Sequence, residues 1–208
     1  PSLMKSVRQI LEDKEKSALR ILLAIFFWFV AYNGIEAFFT LYAKNHLGMS
    51  PADGARLLGQ LSLLFVIFAL PAGYIGGAVG RRWTIMIGIL MMMIGVAALF
   101  FLPVDSLTIL MGLGIAWALI NINSLPMVVD MTDAARIGTF TGLYYLFSTL
   151  AAITGPILYG WIIQLSGNLY SLVMLVSPVA LLLALIMMFG VRRGEAVEEN
   201  DIKATEVL

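Results

Sequence analysis

Six long apolar runs, separated by short polar breaks, leave this chain few ways to fold. A helix needs about 20 mostly apolar residues to cross the hydrocarbon core of a bilayer. The stretches 19–43, 57–77, 83–102, 107–125, 138–165 and 169–191 meet that requirement. The breaks between them, LGMSPADGA, GRRW, PVDS, PMVVDMTDAAR and SGN, carry the Gly, Pro, Asn, Asp and Ser that stop or cap helices. The expected fold is therefore an all-α membrane protein. Residues 1–18 read as a cytoplasmic loop with an amphipathic helix, 19–191 as a six-helix transmembrane bundle, and 192–208 as a disordered cytoplasmic tail. Composition agrees, since 61% of the residues are hydrophobic and only 12% are charged.

The placement of basic residues sets the expected orientation, because cytoplasmic loops are enriched in Lys and Arg. With both termini inside, that side holds Lys5, Arg8, Lys14, Lys16, Arg20, Arg81, Arg82, Arg136, Arg192, Arg193 and Lys203, against Lys44 and Arg56 outside. Leu3, Val7, Ile10 and Leu11 share one helical face before the first span, which suits a helix lying on the inner leaflet. The tail EAVEENDIKATEVL is too polar to bury a core. Thirteen basic and thirteen acidic residues cancel, which gives no electrostatic reason for a nucleic-acid partner. A single His46 and no cysteine leave no metal-ligand spacing, no disulfide framework and no cofactor motif. No nucleophile with a base appears, so an enzyme is not expected. The chain opens on Pro1 with no secretory signal segment, and it reads as part of something longer.

The spans differ in polarity. The first carries Tyr32, Asn33, Glu36 and Thr40 on one helical face, and the fourth carries Trp117, Asn121 and Ser124, with Asn123 beside them. Glu36 sits six residues from the outer end of its run, roughly 9 Å into the hydrocarbon at about 1.5 Å per residue. A carboxylate at that depth marks a substrate or proton path, or hydrogen-bonds a neighbouring helix. Asn121 and Asn123 suit hydroxyl-rich or amide-bearing ligands, or bonds between helices. Trp117 offers a ring to stack on a sugar, or packs. The third and sixth spans lack strong polar groups and are expected to face lipid all round. In the loop before the fifth span, Asp133 reads as a helix N-cap paired with Arg136, and Asp130 as a cap or part of an inner gate. Gly155 and Pro156 read as a kink or hinge, and GTFTG, spanning Gly138 to Gly142, as a close helix contact. Thr141, Tyr144, Tyr145 and Ser148 give the fifth span a second claim on a cavity.

The run GYIGGAVGRR resembles the loop signature of the major facilitator superfamily, with Gly73, Gly80, Arg81 and Arg82 at matching positions. Gly77 and Ala78 replace the aspartate and first basic residue of that signature. Together with FFWFVAYNGIEAFFTLYAKNHLG, GIAWALININSLPMVVDMTD and GTFTGLYYLFSTLAAITGPILYGWII, it resembles the C-terminal six helices of bacterial sucrose-transporter-like members, relatives of proton-coupled sugar symporters. The resemblance implies one half of a secondary transporter in the cell membrane, working by alternating access on a small-molecule substrate, with the first and fourth spans lining the cavity. It implies a six-helix N-terminal half as partner, in the same chain or in another subunit, and surrounding membrane lipid. An antiporter of a metabolite or amphipathic drug, and a binding module without a transport cycle, stand as the alternatives.

Overall fold

The structure, a computed structural model, describes residues 15–102 and 107–195. The amphipathic segment expected around residues 3–11 and the tail from residue 196 onward lie outside the described residues. Six helices follow one another: α1 (Ser17–Leu47), α2 (Pro51–Val79), α3 (Arg81–Phe101), α4 (Leu107–Val129), α5 (Ile137–Leu165) and α6 (Leu172–Phe189). All six are long and apolar enough to cross a membrane.

Local chemistry carries several helices past their apolar runs. Gly48, at φ 68°, ends α1 in the left-handed conformation and donates its N–H to the Ala43 carbonyl. Two residues later Ser50 starts α2: its Oγ accepts the Asp53 N–H at 3.1 Å, and Pro51 occupies the first helical turn, where its missing N–H costs nothing. Most of LGMSPADGA is thus helical, not loop. Between α2 and α3 the chain turns at a single residue, Gly80, whose φ of 107° excludes most side chains.

The packing has an internal two-fold pattern in which α1, α2 and α3 correspond to α4, α5 and α6. α1 packs on α5 and α6, and its counterpart α4 packs on α2 and α3. α3 and α6 close the arrangement against each other. Repeats of this kind are common in transporters. α1 and α4 end up central and most buried, while α2 and α5 bury least of themselves. The expectation that the third and sixth spans meet lipid all round is corrected. α3 buries Ile85, Ile89, Met92, Val96 and Leu99, and α6 buries Val173, Met174, Leu181, Ala184 and Met188. An apolar sequence does not distinguish a lipid-facing surface from a helix-facing one, because both are equally dry.

The close helix contact also lies elsewhere than expected. Among the described residues, nothing stands within 4 Å of where a Cβ would sit on Gly138 or Gly142. On Gly155 it would sit 2.8 Å from the Val30 carbonyl oxygen and 3.3 Å from the Gly34 nitrogen, and on Gly34 it would meet the Tyr159 ring at 2.7 Å. Gly155 therefore lets α5 cross α1 at backbone contact, and α5 runs unbroken through Pro156. The pair expected as a hinge stands in a tight crossing. Tyr159 is pinned there: Ser177 gives its proton to the Val173 carbonyl at 2.7 Å, so the Tyr159 hydroxyl donates to Ser177 Oγ at 2.9 Å.

A second buried hydroxyl ties α1 to α3. Tyr42 donates to the Leu99 carbonyl at 2.5 Å, in the last turn of α3 where carbonyls have no helical partner. Tyr42→Phe is expected to cost about 1 kcal/mol, read as a lowered thermal midpoint of the purified protein in detergent.

Candidate functional site

The polar faces of α1 and α4 meet at an aromatic stack. The Tyr32 and Trp117 rings lie parallel, with centroids 3.9 Å apart and an interplanar angle of 5°. Phe29 stands edge-on to Trp117 at 5.3 Å and to Tyr144 at 6.4 Å. Trp117 is buried, so the expected sugar-stacking platform is already covered by Tyr32. The stack divides the exposed side of the bundle into two recesses.

One recess, a narrow one of about 40 Å³, has Glu36 at its wall with Tyr32 and Ser62, and is otherwise lined by Ile35, Leu58, Leu61, Met92, Val96 and Leu113. Glu36 is exposed and makes no hydrogen bond or ion pair with another described residue. The second recess, nearer the end of the bundle that carries Arg81 and Arg82, is lined by Phe29, Asn121, Ile122, Leu125, Pro126, Tyr144, Tyr145 and Ser148. Its polar groups are amide and hydroxyl, able to donate and accept without carrying charge.

Not every residue on the predicted stripes reaches a recess. Asn33 lines neither of the two and donates its amide to the Phe29 carbonyl at 2.7 Å on its own helix. Thr40 sits against α2, its Cα within 3.4 Å of a Cβ placed on Gly54. Ser124 is fully buried: it donates to the Asn121 carbonyl at 2.8 Å and so accepts from the Tyr144 hydroxyl at 3.1 Å, holding Tyr144 in place. Asn123 is buried too and bonds the Ala72 carbonyl of α2 at 3.0 Å, a packing role. Helical spacing fixes which residues share a side, but not which neighbour covers it.

At the basic end, Arg81 pairs with Asp130, joining the α2–α3 turn to the segment after α4. Arg82 donates to the Met188 and Phe189 carbonyls at 3.3 and 2.9 Å, and Arg20 donates to the Gly190 carbonyl at 2.7 Å. These cations sit at the negative end of the α6 dipole and satisfy carbonyls that the helix leaves open. The positive end of α3 has its own counter-charge, which the sequence did not single out. Glu195 folds back and accepts the Arg81 and Arg82 backbone N–H groups at 2.6 and 3.2 Å. Residues 192–195, expected in the tail, are therefore ordered, and the acid just beyond the paired arginines was the signal available. Gly73 faces Ile122 of α4, with its would-be Cβ 3.4 Å from that side chain.

Asp133 does not cap α5. Three further residues turn before the helix, the N-cap position falls on Arg136, and the Asp133 carboxylate instead accepts from the Arg136 guanidinium at 2.7 and 3.1 Å. That hydrogen bonding holds the Asp133 carboxyl below the usual carboxylate range.

The chain matches the profile of the Major Facilitator Superfamily over residues 21–207. It belongs to the major facilitator superfamily. Its six helices form one half of that fold, and this is a multi-pass membrane protein of a transporter family. No curated protein matches the chain. Among solved structures it is similar to a POT family transporter in complex with a thioalcohol-conjugated peptide, with a TM-score of 0.77 and 17% identity over 92% of this chain and 43% of that one. It is also similar to the peptide transporter POT in complex with sulfate, with a TM-score of 0.75 and 20% identity over 92% and 43% of the two chains. A third, from work on substrate recognition in proton-dependent oligopeptide transporters, gives a TM-score of 0.73 and 16% identity over 94% and 46%. The chain spans less than half the length of these structures, and at such identities the likeness is one of fold.

Proposed function

We propose that this chain is the C-terminal half of a secondary active transporter that moves sugars or similar small polar solutes by alternating access, coupled to protons by symport. The observation that carries the reading is the neutral amide-and-hydroxyl recess, which suits a polar solute, with an unpaired carboxylate at membrane depth on the same exposed side of α1 and α4. α2 exposes Leu63, Val66, Ile67, Leu70 and Tyr74, and α5 exposes Ile153, Ile157 and Trp161, apolar surface that lipid or a second six-helix unit would cover. With the basic end cytoplasmic, both termini face the cytoplasm, in line with the excess of Lys and Arg there. The fold neighbours carry peptides or proton-dependent transport in their names, which supports polar cargo and proton coupling in this architecture.

Arg81 and Asp130 act as an inner latch in this reading. The pair is partly exposed, so its worth is about 1 kcal/mol or less. Asp130→Asn is expected to raise thiol labelling of a Tyr145→Cys variant from the basic end by up to about fivefold, the equivalent of 1 kcal/mol.

A second reading, an antiporter exporting a metabolite or amphipathic drug, draws on the aliphatic lining around Glu36. Uptake by the complete protein in proteoliposomes decides between them. Sugar or other polar-solute accumulation driven by an inward proton gradient, and abolished by a protonophore, supports symport. Accumulation only of amphipathic compounds against a proton gradient of the opposite direction supports the exporter.

A further inference from the structure

The Glu36 recess is poorly matched to a neutral polyol. Among the residues lining it only Glu36, Tyr32 and Ser62 bear polar side chains, and the Ser62 hydroxyl is already committed to the Leu58 carbonyl at 3.0 Å. The remaining wall is aliphatic, contributed by α1, α2, α3 and α4 and including Leu58, Leu61 and Val96. Hydroxyl groups placed against that wall would lose hydrogen bonds to water and gain none. A protonated amine on an apolar body meets no such penalty: its charge finds the carboxylate in a charge-assisted hydrogen bond, and its carbon skeleton finds the wall. No lysine or arginine lines the recess to neutralise Glu36 from within the chain. The neighbouring recess is polar but uncharged and lies beyond the Tyr32–Trp117 stack, so it suits the neutral, hydrogen-bonding end of the same molecule.

We infer that the recess at Glu36 is an ammonium subsite, which makes solutes bearing a protonated amine on an apolar group part of this half's cargo. The inference rests on the transporter reading for the word cargo, but its binding step is measurable without transport.

The test uses the complete protein, with any cysteines outside this chain removed, carrying Ser62→Cys at the exposed mouth of the recess. The probes are 2-phenylethylamine and its uncharged counterpart 2-phenylethanol, at equal concentration and neutral pH, and the readout is the rate of N-ethylmaleimide labelling at position 62. The amine is expected to slow labelling about tenfold, the equivalent of roughly 1.4 kcal/mol, and the alcohol to leave it unchanged. Glu36→Asp retains the protection and Glu36→Gln loses it, the first variant showing that the site survives substitution. Equal protection by both probes means a merely apolar pocket and overturns the proposal. Amine protection that persists in Glu36→Gln overturns it as well, as does absence of amine protection at neutral pH in the protein that retains Glu36. Amine protection in a protein that moves no solute would leave the subsite standing and remove the transporter reading. Polar-solute uptake without amine protection would do the reverse.

Discussion

Glu36→Gln in the complete transporter is expected to cut proton-driven solute uptake roughly 10- to 150-fold, the equivalent of about 1.5–3 kcal/mol for one charged hydrogen bond. Glutamine keeps the size and the hydrogen-bonding capacity of the side chain but holds no charge and exchanges no proton. The carboxylate has no partner among the described residues that would mask the loss, since neither recess contains a second acid. If Glu36 links proton and solute, the variant also loses the dependence of uptake on external pH, because coupling is a shared free energy that disappears with the group that carries it. Initial rates measured between pH 5 and pH 8 separate the two effects. A uniform drop with the pH profile intact would make Glu36 a binding group only, and an unchanged rate would remove it from the pathway.

Gly155→Leu is expected to be the most damaging substitution in the scaffold. A Cβ there would lie 2.8 Å from the Val30 carbonyl oxygen, and the obstacle is backbone, which cannot rotate away. Overpacking typically costs about 1–3 kcal/mol and occasionally more, and here the rest of the leucine side chain would have to separate α5 from α1. The crossing also holds the Tyr159 ring over Gly34, two residues from Glu36, so the damage reaches the recess. The variant should lose most of its folded yield and show a lowered thermal midpoint. Gly142→Leu, at a position with nothing within 4 Å among the described residues, should leave the fold of this half intact and serves as the comparison.

The six runs were legible because a bilayer demands length and apolarity together, and nothing else in a chain of this kind produces both. The central place of α1 and α4 was legible from Tyr32, Glu36, Trp117 and Asn121, since polar side chains at membrane depth need protein or water around them. What covers each of those side chains was not. Trp117 and Tyr32 are far apart in sequence, and only the crossing of their helices makes them stack. Thr40 shares the face of Glu36 by spacing, yet α2 covers it. Glu195 lies in a stretch whose composition reads as tail, and its role depends on the Gly80 turn arriving beside the end of α6. Gly155 illustrates the same limit: a glycine beside a proline reads locally as a bend, while the tertiary contact makes it a crossing point.

Alternating access makes a demand that no static binding module shares: opening at one end must be matched by closing at the other. Thiols introduced singly at Ser62, in the Glu36 recess, and at Tyr145, nearer the basic end, report the two openings in the complete protein. Labelling rates with and without a transported solute and a proton gradient provide the measurement. The account predicts opposite changes, one position gaining accessibility as the other loses it. Rates that stay fixed at both positions, or that rise and fall together, would contradict it.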